Sequence, residues 1–260
     1  MASDGSLSPS ALVWAARAGG LHVIALTDHD TTAGYSEAAE AGRGSVHVVP
    51  GIEVSTTFEC RELHMLGYFV DPDHPALQEH ESEAMTRRRD RMAAMIDALR
   101  AGGLTVPFEA VAAEASGSRI VARPHLARVL VQRGHAATVS DAFDRWIGDA
   151  CPAYRPVNLV TPYEAIERIH CAGGIAVWAH PELDLLRREV RRFAAGGLDG
   201  IECYRPRCPP EDCLMFERTA EELRLYATGG SDWHGVWNGR LGTFSLSHEE
   251  VGAVLEYGGI

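Results

Sequence analysis

The side chains of this chain that could do chemistry are acids and imidazoles placed around short apolar runs. Asp28, His29 and Asp30 directly follow the run LHVIALT, and Glu53 follows residues 46–49 after a Pro50-Gly51 turn. His64 lies in ELHMLGYFV, on one face of an alternating strand. His180 closes IAVWA with Pro181 behind it, and Asp232 and His234 follow LYATGG. Any one of these is more simply a hydrogen-bonded structural residue, and a Ser-Asp pair such as Ser231-Asp232 commonly caps a helix. Together they are harder to dismiss, because five successive strand segments deliver His, Asp or Glu, four of them at or just past the C-terminal end. Mixed nitrogen and oxygen donors without thiolates suit Zn, Mn or Fe, and their number exceeds the four ligands of one tetrahedral zinc. The excess points to two or more cations sharing a carboxylate, an arrangement that holds a bridging hydroxide and clamps the oxygens of an in-line displacement at phosphorus.

The elements that must bring these side chains together are legible as a repeated unit: a capped helix, a Gly-Gly stop and a β-rich run. Ser8-Pro9 opens one helix and Gly19-Gly20 closes it before the strand 21–27. Thr161-Pro162 with Glu164 forms a capping box, and Gly173-Gly174 precedes the strand 175–179. Helices over 184–195 and 211–223 lead into strands over 198–204 and 225–228. Alternation of this length predicts βα units on a parallel sheet, open or closed into a barrel, whose strand C-termini meet at one mouth. Between residues 71 and 155 the rhythm changes. A long helix over 81–101 carries Met85, Met92, Met95, Ile96 and Leu99 on one face, followed by helices over 107–115, 124–133 and 140–147. This predicts two units, a barrel domain from 1–70 and 156–260 and an all-helical insertion over 71–155. The Arg87-Arg88-Arg89 run reads as a solvated helix face.

Composition narrows the function. The chain has 260 residues and a formal charge of −12, and all 24 of its fixed positive charges are Arg because it contains no Lys. An acidic surface argues against gripping duplex DNA, and no apolar run is long enough to cross a membrane. The six cysteines show no CxxC pair, which with the absence of a secretory leader predicts free thiols and a cytoplasmic setting.

Eight motifs in order, ASDGSLSP, ALTDHDTTAG, GIEVS, ELHMLGY, RPHLAR, GGIAVWAHP, GLDGIECY and GGSDWHG, resemble the PHP (polymerase and histidinol phosphatase) family. The branch they look most like comprises stand-alone phosphoesterases acting on 3′,5′-nucleotide bisphosphates and short RNA 5′ ends. The resemblance implies an α/β fold, a distorted (β/α)7 TIM-like barrel. It also implies divalent cations, two or three per chain, with manganese foremost and zinc or iron as alternatives. It places Asp4, His29 and His234 on one metal, His64 and His180 on another, Glu53 as the shared carboxylate and Asp232 on the remaining ion. Glu53, Asp232 and His234 would be catalytic, Arg123 and His125 would hold a substrate phosphate, and Asp28 and Asp30 would orient imidazoles, with Arg119 and Arg155 as weaker phosphate contacts. The expected substrate is a small phosphorylated nucleotide or a short RNA. Family members carry a His-x-His strand before the ASDG segment, whereas here Met1 abuts Ala2-Ser3-Asp4. The barrel is therefore expected to lack its first strand and to leave an open apolar seam, reflecting either a start codon further upstream or a truncation. The alternative function is a catalytically impaired domain of this kind, used as a ligand-binding or regulatory module. A barrel amidohydrolase shares the metal logic but often needs a carboxylated Lys, which this chain does not have.

Overall fold

The computed structural model describes residues 3, 5–59, 61–115, 121–156, 159–235 and 239–260. Asp4, Cys60 and Arg119 lie outside them. Helix α1 (Pro9–Ala18) is capped by the Ser8 hydroxyl, which accepts from the Ala11 amide, and leads into β1 (Val23–Leu26) and α2 (Tyr35–Gly42). Strands β2 (His47–Phe58) and β3 (Arg61–Tyr68) form a hairpin. A helical stretch follows: α3 (Pro75–Ala101), α4 (Phe108–Glu114), α5 (Arg123–Gln132) and α6 (Val139–Ala142), the last running into a π-helical turn over Phe143–Ile147. The alternation then resumes with α7 (Pro162–Cys171), β4 (Ile175–Trp178), α8 (Leu183–Ala195), β5 (Gly200–Tyr204), α9 (Pro210–Leu223) and β6 (Tyr226–Gly229). Helix α10 (His248–Tyr257) ends the chain. No helix of the described residues is long and apolar enough to cross a membrane.

The six strands are ordered β1-β2-β3-β4-β5-β6 in one curled sheet. It is not wholly parallel: β3 runs antiparallel to both β2 and β4, while the other pairs are parallel. The reason is the connection. Phe58 pairs with Arg61, and a hairpin this tight can only reverse the chain. The Pro50-Gly51 step is also not a turn, since β2 passes straight through it. Its first residues pair with β1 and the rest with β3. A Cβ on Gly51 would meet the Thr27 side chain at 2.8 Å and the Leu26 and Gly67 carbonyls at 3.0 Å. Glycine is what lets two neighbouring strands close on that point.

The main core lies between the sheet and its helices, around Ile52, Met65, Trp178, Phe193 and Phe216. The Phe193 ring packs edge-on to Trp178 at 4.9 Å, Phe58 at 5.2 Å and Tyr163 at 5.5 Å. The helical stretch has a separate cluster in which Met92, Met95, Ile96 and Leu99 of α3 meet Leu126, Leu130 and Ile147. Met85, expected on that buried face, is 39% exposed. This cluster covers only the second half of α3, and the first half turns Leu77 and His80 towards the sheet side instead. Among the described residues β1 and β6 pair on one side only. Between these edges opens a cavity of about 730 Å³, lined among others by Val23, Ala25, Tyr68, Thr228 and Val254. Its far end reaches the acid and imidazole side chains.

Phe193→Ala should lower stability by about 3–5 kcal/mol, since it empties a site with three aromatic neighbours. Urea unfolding with an unchanged slope would report it.

Candidate metal centre

Glu53 occupies the middle of β2 rather than the end of a strand, and the end of β1 is carried alongside it. The Asp30 amide donates to the Glu53 carbonyl at 2.9 Å and the Glu53 amide to the Asp28 carbonyl at 3.1 Å, which sets His29 beside Glu53. On β3, His64 pairs with Ser55 and Leu66 with Glu53. Glu53, Ser55 and His64 therefore share one face, His64 being the diagonal neighbour of Glu53. Because β3 is antiparallel, its early residues reach the mouth formed by the C-terminal ends of the others. The Ala179 amide donates to the His64 carbonyl at 3.0 Å, and His180 follows immediately.

The result is a buried carboxylate ringed by imidazoles. His64 Nδ1 lies 2.8 Å from Glu53 Oε1, His180 Nε2 lies 3.3 Å from the same oxygen, and the two ring nitrogens are 3.0 Å apart. His29 Nδ1 stands 3.8 Å from Glu53 Oε2. The His29 ring is 4.9 Å from that of His64 and 5.9 Å from that of His234. His234 Nδ1 is 2.9 Å from the Asp232 carbonyl, and donating there fixes the tautomer. Asp232 and His234 line the same cavity as Glu53 and His29. Three residues at this mouth, Asp30, His180 and Asp232, have positive φ (55°, 32° and 47°), so backbone strain is concentrated where the side chains converge.

Burial alone would push Glu53 up, but His29 and the hydrogen bonds from His180 and His64 hold it well below the usual carboxylate range. Burial works against a charged His64, yet its bonds to Glu53 and Glu62 carry it up to about 10. Glu62 is drawn down to about 2 by the same hydrogen bond. In Glu202, burial outweighs the His180 amide and, with the nearby Glu53 and Asp232 charges, pushes the carboxyl up to about 7.

The residues fit divalent cations. Ligands held at about 2.1 Å in a tetrahedron stand roughly 3.4 Å apart, close to the spacing of the inward His64, His180 and Glu53 atoms. His29, Glu53 and His64 also each offer a donor atom within 4.8 Å of one another. His29 Nδ1 and Asp28 Oδ2 are buried without a hydrogen-bond partner among the described residues, as donors awaiting an ion would be. The donor set is imidazole and carboxylate, matching borderline metals.

Several expected partners are otherwise engaged. Asp28 does not orient an imidazole through Oδ1, which accepts from the Ser3 amide and hydroxyl. Asp30 is fully buried, and the imidazole it holds is that of His80 and not one of those around Glu53. It accepts from Arg88 at 2.7 Å, from the Ser55 amide at 2.8 Å and pairs with His80 at 2.9 Å, so its pKa stays low despite burial. Arg88 is thus no solvated residue: the carboxylate and the Ser55 hydroxyl hold it against the sheet. His125 is buried, with Nδ1 accepting from the Ala122 amide at the start of α5. Arg155 spends NH1 on the Pro152 and Tyr154 carbonyls. Arg123 pairs with the exposed Asp149 and stacks over Phe143 and Tyr154.

Sequence reasoning missed Glu62, Arg91 and Glu202. Glu62 lies 3.6 Å from His64 Nε2, two residues along the same strand, so the alternation that singled out His64 was the signal that could have found it. Arg91 donates Nε to the Arg155 carbonyl and stacks on Tyr154, while its NH2 is buried without an acceptor among the described residues. Burial and the nearby Arg123 charge lower its pKa. Its i+3 spacing from Arg88 was the available signal.

No protein-family model matches the chain. It is 36% identical over 239 residues to a 5′-3′ exoribonuclease of Haemophilus influenzae, covering 90% of this chain and 86% of that one. It is 32% identical over 243 residues to a 3′,5′-nucleoside bisphosphate phosphatase of Chromobacterium violaceum, covering 91% and 85%. A solved structure from Bifidobacterium adolescentis, provisionally described as a metal-dependent phosphoesterase, superposes with a TM-score of 0.81 at 32% identity, covering 98% of this chain and 91% of that one.

Adding Mn²⁺ to metal-free protein in weak buffer near neutral pH should release about one proton per chain, because the cation displaces the proton that His64 holds up to about pH 10. Titration calorimetry in buffers of different ionisation enthalpy measures it, and His64→Gln should abolish the release.

Proposed function

The chain belongs to the PHP family of metal-dependent phosphoesterases, and on that footing we propose that it hydrolyses phosphate monoesters of small nucleotides or of short RNA 5′ ends. The observation that carries the reading is the Glu53 carboxylate held within 2.8–3.8 Å of three imidazoles at the mouth of the sheet. The names of its relatives share hydrolysis of a phosphate ester on a nucleotide, a monoester for the phosphatase and a diester for the exoribonuclease.

His64, His180 and Glu53 would hold one cation, His29 and His234 with Asp4 a second, and Glu53 would be shared. Asp232 would serve a further ion, giving two or three per chain, with manganese as the metal. When bound, such cations supply acidified water as the nucleophile and neutralise charge on the phosphate oxygens. The chain's own residues do the rest. Glu62 orients His64, and the Asp232 carbonyl fixes the tautomer of His234. Arg123 and the unpaired edge of Arg91, close enough to repel each other, form a cationic rim from α3 and α5 where a substrate phosphate would relieve that repulsion. The exposed Asp149 neutralises Arg123 until an anion competes.

We read the curled sheet as a distorted (β/α)7 barrel without its first strand, and residues 71–155 as an inserted helical domain whose separate core supports α3 and α5 above the mouth. An acidic chain with a few Arg at one rim suits a small or single-stranded phosphorylated ligand over a DNA duplex, in the cytoplasm.

Purified protein with Mn²⁺ and adenosine 3′,5′-bisphosphate should release inorganic phosphate; ligand binding without release would contradict the reading. Glu53→Gln should reduce turnover by roughly a thousandfold or more, the several kcal/mol that catalytic cations supply. Arg123→Ala should cost roughly 10- to 100-fold in kcat/KM, carried mainly by KM.

A further inference from the structure

His180 sits in an uncomfortable backbone conformation. Its φ is +32°, and it precedes Pro181, whose ring disfavours compact conformations in the residue before it. Such strain persists only where the surroundings over-determine it. Here they do so from β5. The His180 amide donates to Glu202 Oε2 at 2.6 Å, and the carbonyl of the following residue, Pro181, accepts from NH2 of Arg205, just past the end of β5, at 3.1 Å. On the other side, the preceding Ala179 amide is bonded to the His64 carbonyl. Strand β3 and the end of β5 therefore hold the backbone of three successive residues, Ala179, His180 and Pro181.

Glu202 is a costly way to make one hydrogen bond. It is 5% exposed, stands among the acids of the same cavity and lies at an irregularity in the β5–β6 register. A carboxyl buried beside other carboxylates is retained against its own desolvation, so its bond must serve something else.

We propose that Glu202 is a positioning residue: its carboxyl, through the bond to the His180 amide, holds the backbone in the left-handed conformation that aims Nε2 at Glu53. This rests on the reading of His180 as a cation ligand. What matters is an acceptor at that reach from β5, not the charge. Gln has the same length and keeps a carbonyl acceptor, whereas Asp keeps the charge but draws the acceptor back by one methylene.

Three variants separate these roles: Glu202→Gln, Glu202→Asp and Glu202→Ala. Mn²⁺ affinity measured by calorimetry should fall by roughly 10- to 100-fold in the Ala and Asp variants, the usual cost of losing a group that orients a metal ligand, and stay near wild type in Gln. In the metal-free protein the His180 amide proton, shifted downfield by its short bond, should move upfield in Ala and Asp and stay in place in Gln. Wild-type affinity and an unmoved amide proton in Glu202→Asp, or a Gln variant as impaired as Ala, would overturn the proposal. The Gln and Asp comparison stands even if the Ala variant does not fold. The nuclear magnetic resonance measurement needs neither metal nor substrate. Failure of the functional reading would appear separately, as wild-type protein that binds cations and releases no phosphate.

Discussion

A single buried carboxylate organises this molecule. Glu53 is 5% exposed and stays ionised only because imidazoles surround it; an acid in that position without positive partners would cost more than its neighbours return. In the metal-free chain the compensation is a proton on His64 shared toward Glu53. With cations present, their charge takes over that role, and the site is built so that either can occupy it. The competition between proton and metal is therefore a property of the fold and not of one residue.

The sheet supplies this arrangement through one reversal of direction. With β3 running opposite to its neighbours, the first half of that strand reaches the mouth where β1, β4 and β6 end. His64 then stands beside Glu53 instead of at the opposite end of the sheet. Gly51 lets β1 and β3 close in on opposite edges of β2, so that the end of β1 delivers His29 beside Glu53. The helical stretch is fastened to the site by the pairing of Asp30 with Arg88 and His80. Through α3 this ties the placement of Arg91 to the strand that carries Glu53. Rim and metal centre are thereby held by one buried network.

Much of the framework was legible in the sequence because local chemistry wrote it. The Thr161–Glu164 capping box, the Ser8 cap and the Gly-Gly stops mark helix ends through bonds within a few residues. The six acids and imidazoles from His29 to His234 were legible because they adjoin apolar runs. What stayed hidden depends on partners far along the chain. Arg88 looks like one of three surface arginines until Asp30, 58 residues away, is placed beneath it. Met85 fits the helical period of Met92, but the cluster that buries Met92, Met95 and Leu99 does not extend to its end of α3. Glu202 reads as an ordinary polar residue on a strand, and only the strained His180 backbone across the sheet gives it a role. The direction of β3 follows from a hairpin turn that no apolar pattern specifies.

The most direct test of the central claim is crystallography of the protein soaked in Mn²⁺, with anomalous scattering recorded at the manganese edge. The account predicts a peak within about 2.5 Å of a Glu53 carboxylate oxygen, coordinated also by His64 and His180, and a second peak on the His29 and His234 side. Anomalous density only at surface carboxylates, with the His64–Glu53 hydrogen bond intact, would contradict it.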